Sequence, residues 1–331
     1  MEKILTVSIA AYNVGKYIEE TLDSLVIPEI LDDIEVFVVD DGGTDNSLSI
    51  AKKYEKKHPE TFHVIHKENG GYGSVFNYTV KKATGKYFKL LDGDDWFSKT
   101  GLIQLVNQLN NTDADIVVTN YFKGPNNNNL SLVTVVNKVD NGFYDSLDGL
   151  TNRPIGMWAI TYKTEILRSS KLFLPEHTLY TDQYYDLIPL ASCNKIELSS
   201  VPVYCYRVGR DGQSVSKDSR IKHCDEMLYI CKEVSEFAEA NKDKRNGKYV
   251  LMRAANYHTT AIRTIMLDKI SKKNLDKIKT YDAEIRMVAP SVYNMVPKMG
   301  KIGKLIYLYR KTNYQTYWLL GLKPGGVKNW E

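Results

Sequence analysis

Three carboxylates fall within four residues at Asp92-Gly93-Asp94-Asp95, directly after the apolar pair Leu90-Leu91. Carboxylates packed this closely repel one another and raise each other's pKa unless a cation is bound. Oxygen ligands of this kind suit Mg²⁺ or Mn²⁺. Such a metal can clamp a diphosphate and stabilise it as a leaving group. Taken alone the motif also reads as a solvated acidic turn; its place at a strand end favours a site.

A second acidic strand end is Val38-Val39-Asp40-Asp41-Gly42-Gly43-Thr44-Asp45. A carboxylate there can accept bonds from a base N–H or ribose hydroxyls, and the glycines let backbone approach a ligand. The plainer reading is a strand-to-helix turn with an Asp cap. Thr181-Asp182-Gln183 opens a helix after a polar loop. Asp182 there can serve as a general base toward an acceptor hydroxyl, although the helix dipole favours its charged form. The stretch 206–216 carries Arg207, Arg210 and two glycines, and arginine suits phosphate by bidentate bonding. Gly71-Tyr72-Gly73 lacks the third glycine of a dinucleotide fingerprint, because Phe76 occupies its place; a Rossmann dehydrogenase is rejected.

These residues need elements to carry them. Residues 4–11 are apolar and β-branched and read as a buried strand, followed by helical spacing over 15–26. A strand is expected at 34–39, a helix capped by Asp45 through about 57, a short strand at 62–65, and a helix from the Gly70–Gly73 turn to about 83. A strand at 86–91, a helix over about 99–110 and a strand at 115–119 follow. This alternation implies right-handed βαβ units and a parallel sheet. In such sheets ligands bind beyond the carboxyl ends of the strands, where Tyr12-Asn13, Asp40-Asp41 and Asp92–Asp95 lie. The middle is less regular: a loop at 124–129, strands at 131–138 and 156–162, a short helix at 181–191 and strand pairs over 195–207. From about 217 the pattern is long helices, so the domains are read as 1–216 and 217–331.

Composition bounds the class. The 331 residues are 43% hydrophobic and 25% charged, ordinary for a globular protein. A net charge of +4 does not call for nucleic acid. Cys193, Cys205, Cys224 and Cys231 have no zinc-type spacing and read as thiols in a reducing compartment. The start lacks a signal peptide, and no run reaches the roughly 18 apolar residues of a membrane span. The expectation is a cytoplasmic protein. The charge is uneven: Lys298, Lys301, Lys304, Arg310, Lys311, Lys323 and Lys328 occur without an acid and among tyrosines and Trp318. That stretch is either a solvated basic face or a peripheral contact with an anionic membrane.

Taken together and in order, Val7-Ser8-Ile9-Ala10-Ala11-Tyr12-Asn13, Val38–Asp45, Glu68-Asn69-Gly70-Gly71, Asn77 and Leu91–Asp95 resemble the family 2 glycosyltransferases of the GT-A fold. The resemblance is close over about residues 4–120 and looser to 216. It implies an α/β, mostly parallel sheet flanked by helices, with a helical C-terminal domain outside the shared part. It further implies inverting transfer of a sugar from a nucleotide-sugar donor, with UDP as the nucleotide and Mn²⁺ or Mg²⁺ as cofactor. By that analogy Ala11, Tyr12 and Asp40 hold the base and ribose. Asp92 lies on the ribose or sugar side, and Asp92 and Asp94 hold the metal and diphosphate. Asp182 is the catalytic base. Asn13, Asp41, Asn69, Gly71 and Gly93 join the donor-binding set, and Arg207 and Arg210 belong to a loop that closes over the donor. The acceptor is a bacterial cell-surface glycan or its lipid-linked form, a step that rests on family analogy alone. Three departures stand out: Ala10-Ala11 where the family has proline before the Tyr-Asn step, Phe76 where arginine often precedes the Asn77 position, and Thr181-Asp182 where the family reads Glu-Asp.

Rival readings are weaker. A phosphatase-like hydrolase needs Asp-x-Asp after the first strand, where this chain has Asn13. A nucleotidyltransferase wants a basic glycine-rich loop there, and Tyr12-Asn13-Val14-Gly15 is not basic. A non-catalytic subunit keeping the fold sits poorly with intact Asp92, Asp94 and Asp182.

Overall fold

The computed structural model describes residues 3–148, 154–210 and 212–322, with side chains to 319. The chain divides into two units at 211/212, against the 216/217 boundary read from the sequence.

The first unit is built on one sheet. Its strands are β1 (Leu5–Ala11), β2 (Ile34–Asp41), β3 (Phe62–Lys67), β4 (Tyr87–Asp92), β5 (Trp96–Phe97), β6 (Ile116–Gly124), β7 (Ser131–Val133), β8 (Gly142–Tyr144), β9 (Ile160–Lys163) and β10 (Ile196–Arg207). They lie in the order β3-β2-β1-β4-β9-β6-β10-β5, with β7 beside β6 and β8 beside β10. The four strands from β3 to β4 are parallel. Every residue of β2 and all but one of β1 are buried, because helices cover both faces of a parallel sheet. The helices are α1 (Ile18–Asp23), α2 (Ser47–Lys57), α3 (Tyr72–Lys82), α4 (Lys99–Asn111), α5 (Thr164–Ser169) and α6 (Asp182–Leu187). The expected α/β architecture is therefore present.

Several local expectations are corrected. The helix after β1 begins at Ile18, three residues later than its apolar spacing suggested. Asp45 is not the N-cap of α2; Asn46 is, and makes no side-chain cap, while Asp45 Oδ1 accepts the Ser47 N–H at 2.9 Å. Only 131–133 of the expected 131–138 strand forms, and 157–159 is a 3-10 turn ahead of β9. The helix expected over 181–191 stops at Leu187 and continues as a 3-10 turn from Pro189, whose ring removes a donor. The pair of strands expected over 195–207 is one strand, β10, with its pairing to β6 shifted between Leu198 and Tyr204 around Pro202. The two-residue strand β5 is too short to leave a period in the sequence.

Register explains the site. Ala11 pairs with Asp40, Asp40 with His66, and Ala10 with Asp92. Four strands thus end together on one edge and deliver their polar residues side by side.

The second unit is helical: α7 (Lys217–Lys222), α8 (Cys224–Ala240), α9 (Gly247–Leu267), α10 (Lys272–Val288), α11 (Pro290–Met295) and α12 (Gly300–Lys311), then a 3-10 segment Gln315–Leu322. Its centre holds a buried polar cluster. Asp282 accepts His258 Nε2 at 2.8 Å and Arg310 Nη2 and Nε at 2.7 and 2.8 Å, with Tyr314 donating to Oδ2 at 2.5 Å. Burial opposes charge on Asp282, but the bonds from His258 and Arg310 prevail and hold its carboxyl well below the usual range. Among the described residues no helix is long and apolar enough to cross a membrane. The four cysteines are buried thiols. Lys323 and Lys328 lie outside the described residues.

Candidate active site

Asp40 is the penultimate residue of β2, with its side chain buried. Its Oδ2 lies 2.6 Å from His66 Nδ1 on β3, while Oδ1 is buried and finds no hydrogen-bond partner among the described residues. Gly43 packs closely on Oδ1, where a Cβ would sit 2.7 Å away. An unmet buried acceptor costs about 1–3 kcal/mol, which a ligand N–H or hydroxyl would recover. Asn13, at φ 52°, accepts the Thr44 N–H at 2.8 Å and ties the β1 end to the turn after β2. Tyr12 is exposed and Ala11 buried on the same edge.

Asp41 is spent on the protein. Its Oδ1 accepts Lys67 Nζ at 2.6 Å and Gly70 N at 2.9 Å, and its Oδ2 accepts Gly71 N at 2.8 Å. Asn69 Nδ2 donates to the Asp41 carbonyl at 2.9 Å. Together these bonds fix the turn into α3, with Gly71 at φ 79°, a conformation that favours glycine. The turn holds more than α3. His177 N donates to the Gly70 carbonyl at 2.6 Å, and Asn77 both accepts Leu174 N at 3.0 Å and donates to Leu174 O at 2.9 Å. The loop clamped this way leads to Asp182, the first residue of α6. Phe76, which stands where an arginine was expected, is fully buried edge-on against Phe88 and Tyr185 and offers no donor contact.

Asp92 ends β4. Burial first, then the nearby Asp94 and Asp182 carboxylates, push its pKa up to about 7; a hydrogen bond from Tyr72 and the charge of Arg210 oppose this. Carboxylates from the β4 end and from α6 therefore share one electrostatic environment. Gly93 lets the chain cross β1 closely: its N–H donates to Ala10 O at 3.1 Å, and a Cβ would lie 2.7 Å from that oxygen. Asp94 Oδ2 accepts Arg210 Nε. Asp95 pins the end of β10, accepting Tyr204 OH at 2.6 Å and Arg207 N at 2.7 Å. Arg207 is buried and its guanidinium is engaged by the protein: Nε to Asp94 O, Nη1 to Pro125 O and Nη2 to Glu20, stacked 4.5 Å over Trp96.

Sequence reasoning missed His66, Tyr72, Lys89, Trp158 and Tyr206. The Trp158 ring stacks on Tyr206 at 4.7 Å, and burial followed by the charges of Asp95, Asp92, Asp94 and Asp182 raises the Tyr206 pKa. The Trp158–Tyr206 stack therefore borders the acidic cluster. Lys89, fully buried behind it, donates to the carbonyls of Trp158 and Ile160 at 3.1 and 2.9 Å. Tyr72 and Tyr206 stood inside segments already singled out; His66, Lys89 and Trp158 left no motif.

The divalent cation implied by the family resemblance suits this donor set. Asp92 and Asp94 carry like charge into a buried corner, and Arg210 already offsets Asp94. Among the described residues no group of three acidic, His or Cys side chains forms a ready-made cage. Mg²⁺ is commonly held by one or two carboxylates plus substrate phosphates, so two protein ligands suffice.

Comparison with known proteins decides the family. The model of glycosyl transferase family 2 matches residues 6–154. An uncharacterized glycosyltransferase of Mycoplasma pneumoniae is 30% identical over 233 residues, 70% of this chain and 77% of the relative. The chain belongs to glycosyl transferase family 2. Two further relatives share fewer identical residues. The uncharacterized glycosyltransferase EpsJ of Bacillus subtilis is 28% identical over 62% of each chain. The Staphylococcus aureus poly(ribitol-phosphate) β-N-acetylglucosaminyltransferase TarS is 27% identical over 78% of this chain and 45% of its own. The chain thus spans less than two thirds of either EpsJ or TarS. The crystal structure of S. aureus TarS 1–349 with UDP-GlcNAc superposes with a TM-score of 0.67 at 23% identity, covering 95% of this chain and 90% of that one. The fold is GT-A-like.

Proposed function

We propose that this glycosyltransferase moves a sugar from a UDP-sugar to a hydroxyl of a bacterial cell-surface glycan or its lipid-linked form, with inversion at the anomeric carbon. One observation carries the reading. Asp182, at the start of α6, lies near enough to Asp92, at the end of β4, to raise its pKa. In the proposed reading this sets the acceptor-side base within electrostatic reach of the donor-side carboxylates.

In the proposed step Asp40 receives the base or ribose through its unmet Oδ1, with Tyr12 and Ala11 alongside. Asp182 takes the proton of the acceptor hydroxyl as that oxygen attacks the anomeric carbon. The bond from that carbon to the diphosphate breaks, and the nucleoside diphosphate leaves with the electron pair. Asp92 and Asp94 would hold Mn²⁺ or Mg²⁺, which when bound offsets the charge gathering on the leaving diphosphate. Arg210, freed from Asp94, is positioned to meet the same phosphates. Trp158 and Tyr206 offer an aromatic wall beside the acids.

The UDP-GlcNAc bound by the TarS fragment supports a UDP-sugar donor, and the poly(ribitol-phosphate) named as the TarS acceptor supports a cell-surface polymer. The proposed place of action is the cytoplasm or the inner face of the membrane. A panel of nucleotide sugars, scored by thermal shift and donor hydrolysis with and without Mn²⁺, tests the reading. A ligand at a hundredfold excess over its Kd stabilises the fold by about 2.7 kcal/mol. One UDP-sugar that shifts the melt and releases UDP supports it; no response to any nucleotide sugar overturns it.

A further inference from the structure

We infer that the outward side of α12, with the segment after it, is a docking surface for an anionic lipid bilayer. The helix is amphipathic, with Gly303, Ile306 and Tyr309 buried. The other side presents Lys301, Lys304, Leu308 and Lys311 at positions i, i+3, i+7 and i+10, with Tyr307 beside Leu308, all exposed. Left-handed backbone at Asn313 and Tyr314 turns the chain back, so that Tyr317 packs 6.1 Å from Tyr309. That leaves Trp318, 47% exposed, and Leu319, 55% exposed, next to the helix.

The charge on this surface is one-signed. From residue 285 to 322 the sequence has no acid. The structure also sorts the cations. Arg310 is removed from the set by its two bonds to Asp282, which also takes His258 and Tyr314. Lys298, Lys301, Lys304 and Lys311 remain exposed and in no ion pair among the described residues. Lys311 Nζ instead lies 5.4 Å over the Tyr307 ring.

Lysines alone would suit any polyanion, including a phosphate-rich glycan. The apolar side chains decide between the two. A sugar polymer can be stacked on by Tyr307 and Trp318, but Leu308 and Leu319 gain little from it, whereas leucine, tyrosine and tryptophan all settle at the headgroup level of a bilayer while lysine stems reach back to the phosphates. Basic residues near an anionic leaflet each add to the attraction, and the effect weakens with salt. Docking there would hold the enzyme where lipid-linked glycans are made. The inference extends the proposed acceptor and does not depend on catalysis.

The test is flotation of the full chain with phosphatidylcholine vesicles, with and without phosphatidylglycerol, and donor hydrolysis measured on the same protein. Wild type should float only with the anionic vesicles. The triple variant Lys301→Glu, Lys304→Glu, Lys311→Glu should lose membrane affinity by about a hundredfold or more, as expected for roughly 1 kcal/mol per cation removed. It should hydrolyse donor as wild type does. Leu308→Ser with Trp318→Ser should lose the part of the binding that survives raised salt. Wild type that stays unbound, or a triple variant that floats equally, overturns the inference. So does binding that is indifferent to Leu308 and Trp318 and is displaced by soluble polyphosphate, which would mean a polyanion site. Flotation intact with no hydrolysis of any donor would sink the transferase reading and leave this one standing.

Discussion

His66 Nδ1 lies 2.6 Å from Asp40 Oδ2, and the other oxygen of the same carboxylate is buried with no hydrogen-bond partner among the described residues. The imidazole thus fixes the rotation of a carboxylate whose other oxygen lies against Gly43. Removing His66 should let Asp40 turn. His66→Ala is expected to raise the donor KM by about tenfold or more, since a hydrogen bond to a charged group is worth about 1.5–3 kcal/mol, and to leave kcat nearly unchanged. Initial rates at varied donor check it; a fall in kcat alone would place Asp40 away from the donor.

Asp182→Asn keeps shape and removes basicity. Transfer should fall by about 10²–10⁴-fold, the usual worth of a general base, while UDP-sugar binding by calorimetry stays within about twofold of wild type. Transfer at the wild-type rate would remove Asp182 from the base role.

The ion pair of Arg210 with Asp94 makes a separate claim about cations. Arg210→Gln should let Mn²⁺ bind more tightly in the absence of nucleotide, because its competitor for Asp94 is gone. The same variant should bind UDP-sugar more weakly in the presence of metal. Titration calorimetry resolves both, and equal Mn²⁺ affinities would show that the pair does not compete.

Burial pulls the Lys89 amine down to a pKa of about 7, against roughly 10.4 in an unfolded chain. Between those values the unfolded chain holds a proton that the folded one lacks, so the contribution of Lys89 to stability rises with pH. In urea unfolding, wild type should therefore gain on Lys89→Met as pH goes from 7 to 9. A constant difference would mean that Lys89 stays charged in the fold.

Asp282→Asn should cost the helical unit about 3–5 kcal/mol, because Arg310 is left as a buried charge without its counter-ion. Chemical unfolding followed by circular dichroism measures this directly.

The fold was legible where period and punctuation agree. β1 to β4 alternate with α1 to α3, and polar residues stand at or just after the ends of β1, β2 and β4. β10 was read as two strands because Pro202 and the register shift beside it interrupt the alternation, a break that pairing to β6 tolerates. The site divides in the same way. Asp40, Asp92 and Asp94 stand at or just after strand ends and carry their signal locally. His66 acquires its role only because β3 registers with β2 so that it sits opposite Asp40. Lys89 and Trp158 meet across 69 residues of chain, and no local pattern records such a meeting. Arg207 has a type that suggested phosphate, and Glu20, Trp96 and Asp94 engage its guanidinium, contacts that no local pattern announces.

Asn77 grips Leu174 with both ends of its amide, and Gly70 receives the N–H of His177. The first turns of α3 are thus a mortise into which the segment before Asp182 is jointed. Anyone grafting an acceptor-side region from a relative onto this chain would have to bring the α3 entry with it. A splice placed after residue 150, leaving mismatched partners at 70, 77, 174 and 177, would move Asp182, the proposed base, while Asp40, Asp92 and Asp94 remained in place.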